Sequence, residues 1–256
     1  MATITVLNVV IITLVPAAAM LIGAAIAAFW SPSGSVQSGI QHFTAGVVIA
    51  AVAVELVPEL HVAEQPIAMA VGFLVGIALM LTVRTIFDEE PAGAAAPAST
   101  PAKRSGMSSQ LPALSLLAAV GVDVFVDGLV SGVTLAAIPE GGRVIIAALS
   151  LEVLFLGMAT AATLRRRGST LVLSMLIVGG LALLIPLGGL MGPVTLAVLP
   201  PSLQTSFLAF ATAAFLYLVF EELFAEAHAQ GPDSNLTTSM LFVGFLLVLL
   251  IKAYLH

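Results

Sequence analysis

The chain has 256 residues, of which 60% are hydrophobic and 9% charged, with a formal net charge of −6 and no cysteine. Soluble domains carry about 25% charged residues, so with a mean hydropathy of +1.15 the chain reads as an integral membrane protein. Lack of cysteine excludes disulfides, thiolate metal ligands and a thiol nucleophile, and no basic cluster is large enough to hold nucleic acid.

The start, Met1-Ala-Thr-Ile-Thr-Val6, lacks the positive region of a signal peptide, so the first apolar run reads as a retained helix. Eight stretches long enough to cross a bilayer follow: about 5–30, 36–58, 66–87, 111–137, 142–164, 170–190, 203–225 and 236–255. Turn residues separate them, as at Ser31-Pro-Ser-Gly-Ser, Pro139-Glu-Gly-Gly and Gly231-Pro-Asp-Ser-Asn. The sixth stretch is the least regular, because Pro186 and several glycines crowd its end. The run from Asp88 to Gln110, rich in Pro, Ala and Ser, reads as a flexible linker. The expected fold is all-α, a polytopic membrane protein with eight transmembrane helices. Arg84, Lys103, Arg104 and Arg165–Arg167 fall on one side of the eight spans, and Arg143 and Lys252 on the other. The positive-inside rule makes the first group cytoplasmic and places both termini outside. Short loops favour a bacterial inner (plasma) membrane.

Two spans end alike. Glu55-Leu-Val-Pro-Glu-Leu-His61 closes the second and Glu222-Leu-Phe-Ala-Glu-Ala-His228 the seventh, with Phe43 and Phe210 at the same offset. The two helices cross in opposite senses, which predicts a 3+2+3 inverted repeat of the kind common in secondary transporters. Its parts are a first three-helix repeat at 1–88, a cytoplasmic loop at 89–110, a central helix pair at 111–168 and a second repeat at 169–256.

The central pair carries the chemistry. Asp123 and Asp127 lie four residues apart, hence on one helix face, with Ser131 and Thr134 continuing the stripe. Gly128 and Gly132 form a step where another helix can approach. Glu152 lies at a similar depth on the fifth span, with Thr160 and Thr163 near its face. Acids at the bilayer midplane are costly and usually mark function. Three like charges in a low dielectric cannot all stay ionised alone, so either a cation binds them or some hold protons. Interhelical hydrogen bonding by protonated acids is the structural alternative. An oxygen-only donor set favours Mg²⁺ or Mn²⁺ without excluding Zn²⁺ or Fe²⁺. Glu55, Glu59 and His61 form a candidate outer vestibule, and Glu221, Glu222, Glu226 and His228 a cytoplasmic exit, although solvated helix ends carry the same residues. His42 opens the second span as a further candidate ligand. Gly72, Gly76, Gly179 and Gly180 offer packing inside the bundle or the seam of a homodimer.

With these residues the chain resembles the ZIP (Zrt/Irt-like) divalent-metal transporters over most of its length. The resemblance rests on the span count, the long third loop, Gln41-His-Phe-Thr-Ala-Gly46 leading into Glu55-Leu-Val-Pro-Glu59, and Tyr217 to His228. The fourth helix of that family commonly reads His-Asn-x-Pro-(Asp or Glu)-Gly. Asp123-Val-Phe-Val-Asp127-Gly128 keeps the last two positions and has Asp123, Val124 and Val126 at the His, Asn and Pro positions. The fifth helix of the family often reads His-x-x-Pro-x-Glu, whereas Leu151 to Leu156 offers Glu152 alone. The resemblance implies transport of a divalent cation of the zinc, manganese and iron class toward the cytoplasm, by an elevator-like or rocking movement. The metal is then substrate rather than cofactor, and the partners are the cation and the lipid bilayer. The missing His ligands point to a single site rather than a two-metal centre. They also leave room for a non-transporting scaffold or sensor of this fold, or a proton-linked transporter of another solute. The chain does not read as an enzyme: the Gly-x-Gly-Asp motif of membrane aspartyl proteases is absent, as are nucleophile elbows and phosphate loops.

Overall fold

The computed structural model describes residues 6–30, 33–60, 64–87, 111–229 and 234–255. His61 and the linker with Lys103 and Arg104 lie outside them. Among the described residues there is no strand, and eight helices are long and apolar enough to cross a membrane. They are α1 (Val6–Ile26), α2 (Gly34–Leu60), α3 (Pro66–Phe87), α4 (Leu111–Ala137), α5 (Pro139–Arg166), α6 (Leu171–Val198), α7 (Ser202–Ala229) and α8 (Asn235–Leu255).

The helix ends follow local chemistry. Pro139 stands in the first turn of α5, where its missing N–H costs nothing. Gly168, with φ +93°, follows the end of α5 in a conformation that favours glycine, and the Thr170 side chain then accepts the Leu173 N–H to cap α6. The sixth span runs to Val198 instead of ending near 190. A bend at Leu183 divides it into Leu171–Ala182 and Leu184–Val198, and Pro186 falls in the first turn of the second part, where no intrahelical donor is needed.

Helices α2 and α7 both widen to π-helical hydrogen bonding, at Val52–Leu56 and Leu218–Leu223. The Val57 N–H reaches back to the Val52 carbonyl, and the Phe224 N–H to that of Val219. In α2 the cause is local: Pro58 offers no N–H and crowds the preceding turn. Both widenings hold acids, Glu55 in one and Glu221 and Glu222 in the other.

The helices pair closely as α1 with α5, α4 with α6, α2 with α8 and α3 with α7. Glycines make the contacts. A Cβ on Gly23 of α1 would stand 1.8 Å from the Leu154 carbonyl of α5, and one on Gly157 of α5 would stand 2.1 Å from the Met20 carbonyl of α1. Gly128 and Gly188 do the same between α4 and α6, against the Ile185 and Phe125 carbonyls. Gly46 and Gly244 join α2 to α8, and Gly72 and Gly76 join α3 to α7. These last two glycines therefore pack inside the bundle, while a Cβ on Gly180 would meet nothing within 4 Å.

Two groups of helices result. Helices α1, α4, α5 and α6 share one core, around Met20, Val124, Leu149, Val153 and Ile185. A second core fills the space between α2, α7 and α8 and the facing sides of α4 and α5, with Val52, Leu56, Val130, Ile145 and Leu218. Helices α3 and α8 are the least buried and expose Leu74, Leu79, Phe242 and Leu246, as lipid-facing helices do.

Candidate functional site

Only Ile138 separates α4 from α5, so the two helices run antiparallel and their middles come level. Asp123 and Asp127 stand one turn apart on α4, and Glu152 projects from the middle of α5. One carboxylate oxygen from each of the three lies within 4.8 Å of the other two. Asp127 and Glu152 are 5% and 6% exposed, and Asp123 is half-buried. Oxygen ligands held at 2.0–2.6 Å by a hard cation stand about 3–5 Å apart, so the cluster has the dimensions of a single-ion site. The Oδ2 of Asp127 is buried and meets no hydrogen-bond partner among the described residues, a costly arrangement for a carboxylate.

The polar residues of the same stripes divide. Thr134 donates to the Val130 carbonyl of its own helix at 2.8 Å. Ser131 is fully buried, and its Oγ meets no hydrogen-bond partner among the described residues. Thr160 is buried, whereas Thr163 takes a hydrogen bond from Arg166 at the end of α5. The small-residue step at Gly128 and Gly132 is where α6 lies, against the Ile185 and Gly189 carbonyls.

A small cavity opens beside the acids. Asp123 and Glu152 line it from one helix group, and Gln41 and Thr44 of α2 with Glu222 of α7 line it from the other. Glu222 thus reaches the same cavity as the central acids. Beyond them, away from Thr44 and Glu222, the helices meet through apolar side chains, Val52 and Leu56 against Val130, Ile145 and Ala148.

The remaining candidates separate into two places. Glu55 is 5% exposed and both its oxygens accept from Lys252 Nζ at 2.8 Å, so it is an internal ion-pair partner. Glu59 is exposed and lines a surface pocket with Glu64, Gln65 and Gln204. Glu221 pairs with Arg84 at the surface. His42, buried in α2, stands 5.7 Å between ring centroids from His228 of α7, with the Phe224 ring against both. His42 Nδ1 donates to the Ser38 carbonyl at 2.9 Å, and His228 Nδ1 to the Phe224 carbonyl. The side chain of Glu226 lies outside the described residues, as does His61.

Sequence reasoning did not single out Gln41 and Thr44 as site residues. The available signal was a pair of polar residues three apart, hence on one face, at the start of the apolar run of that helix. No protein-family model matches the chain, and no curated protein matches it in sequence.

Proposed function

We propose that this chain is a secondary transporter of ZIP-like plan, carrying a divalent cation of the zinc, manganese and iron class across the membrane toward the cytoplasm. The observation that carries the reading is the convergence of the Asp123, Asp127 and Glu152 oxygens within 4.8 Å, buried midway along two adjacent helices. Buried acids at that depth are retained for function far more often than for stability, and their oxygen-only donor set suits a hard or borderline cation.

The helix pairing supports a 3+2+3 inverted repeat. Exchanging α1–α3 with α6–α8, and α4 with α5, turns the α1–α5 pair into α6–α4 and the α2–α8 pair into α7–α3. The same exchange carries Lys252, the partner of Glu55, onto Arg84, which pairs with Glu221, the residue next to the Glu222 that matches Glu55. It also carries the contact of Gly244 with the Phe43 carbonyl onto that of Gly76 with the Phe210 carbonyl. With Arg84 and Arg165–Arg167 on the cytoplasmic side, both termini face outward and the cavity by Gln41 and Glu222 faces the cytoplasm. The conformation is then inward-facing, with the apolar core around Leu56 and Ile145 closing the outer side.

Uptake into proteoliposomes tests this reading. The panel is Mn²⁺, Zn²⁺, Fe²⁺, Cd²⁺, Co²⁺ and Mg²⁺, with internal pH recorded and with Asp127→Ala and Glu152→Ala beside the parent. Saturable flux of one or two ions, lost in both variants, is the expected result. Folded protein that moves none of these ions at any pH would overturn it. The acids would then serve proton-linked movement of another solute, or a scaffold or sensor that does not transport.

A further inference from the structure

Gln41 stands on α2, in the helix group opposite the three clustered acids. It is 2% exposed and lines the cavity shared by Asp123 and Glu152. Its Oε1 is buried and meets no hydrogen-bond partner among the described residues. A buried amide oxygen without a donor is destabilising unless something else engages it. Thr44, three residues on, lines the same cavity and donates its own proton to the Ile40 carbonyl at 2.9 Å. Its oxygen therefore presents only lone pairs elsewhere.

We infer that Gln41 is a cation ligand supplied by the second helix group, its Oε1 joining the Asp123, Asp127 and Glu152 carboxylates around a hard divalent cation. The inference rests on the transport reading of the same site. Three carboxylates already exceed the charge of a divalent ion, so a neutral carbonyl adds a lone pair without another negative charge. Amide oxygens are ordinary ligands of hard cations and poor ones for softer metals. Gln41 thus biases the site toward Mn²⁺ or Mg²⁺ and away from Zn²⁺ or Cd²⁺. Because it comes from α2 and the acids from α4 and α5, the bound ion also ties the two helix groups together.

The test is Mn²⁺ and Cd²⁺ binding by the purified full chain in detergent, free Mn²⁺ being read from its paramagnetic resonance signal. The variants are Gln41→Leu, Gln41→His, Gln41→Glu and Asp127→Asn, each checked for a monodisperse elution profile. Gln41→Leu is expected to weaken Mn²⁺ about tenfold and Gln41→Glu to retain it. Gln41→His is expected to weaken Mn²⁺ and tighten Cd²⁺, reversing their order relative to the parent. Should Gln41→Leu fail to fold, the Gln41→His comparison carries the same exchange of ligand. Parent-like binding of both ions by Gln41→His and any folded Gln41→Leu, beside loss in Asp127→Asn, overturns the inference and leaves the transport reading standing. A parent that binds neither ion overturns both.

Discussion

Lys252 of α8 places its ammonium 2.8 Å from both carboxylate oxygens of Glu55, an acid that is only 5% exposed within the widened turn of α2. A cation on the last span thus pairs with an acid on the second, and the acid is held inside the bundle. Gly141 at the start of α5 leaves space for it, since a Cβ there would stand 2.6 Å from Glu55 Oε2.

Removing one partner of a buried pair strands the other. Lys252→Met is expected to lower stability by about 2 kcal/mol, less than for a fully buried pair because the lysine side chain is 35% exposed. Adding Glu55→Gln to Lys252→Met should recover much of the loss. Thermal unfolding in detergent over the double-mutant cycle reads both terms. Additive losses in the two single variants would mean that the pair is not coupled.

The surface pair of Arg84 and Glu221 should behave differently. Its side chains are 47% and 45% exposed, so Arg84→Gln is expected to cost less than about 1 kcal/mol and to cost still less at high salt. The same unfolding assay at two ionic strengths checks it.

Asp127 should exchange stability for binding. Asp127→Asn replaces a buried carboxylate whose Oδ2 lacks a partner among the described residues. Without cation, the variant is expected to unfold at a higher temperature than the parent. With cation, the order should reverse, because a ligand at one hundred times its Kd adds about 2.7 kcal/mol to the parent alone. Melting curves across a cation titration read both signs.

The glycine steps should be intolerant of even one methyl group. Gly128→Ala would press a Cβ to 2.1 Å from the Ile185 carbonyl, and overpacking of this kind costs about 1–3 kcal/mol. Gly180→Ala meets nothing within 4 Å and is expected to be neutral or slightly stabilising. Comparison of their unfolding midpoints and of folded yield from membranes separates the two sites.

Much of this was legible in sequence because bilayer thickness and the helical repeat both translate directly into spacing. The span count follows from apolar run length, and the stacking of Asp123 under Asp127 follows from four residues per step. That Glu152 comes level with them needed only a short connection between adjacent helices. Other features depend on contacts between distant segments. Nothing local says that Lys252 reaches Glu55, that Gln41 faces the acids across the bundle, or that His42 and His228 share Phe224. The sixth span was read too short because Pro186 and its glycines look like a helix end. In the fold, a bend at Leu183 puts the proline in a first turn, and Gly188, Gly189 and Gly192 become the surface against which α4 and α1 pack.

The distribution of glycine contacts gives the molecule a stiff direction and a soft one. Within each helix group, Cα atoms of one helix rest against carbonyls of the next, so shear there would force backbone to climb over backbone. Between the groups, among the described residues, the one such glycine is Gly141, and it meets the Glu55 side chain instead of a main chain. Elsewhere across that boundary apolar side chains such as Val52 and Leu56 share a core with Val130, Ile145 and Ala148. The boundary without backbone-to-backbone glycine contacts therefore runs past the cavity that Asp123 and Glu152 line from one side and Gln41, Thr44 and Glu222 from the other.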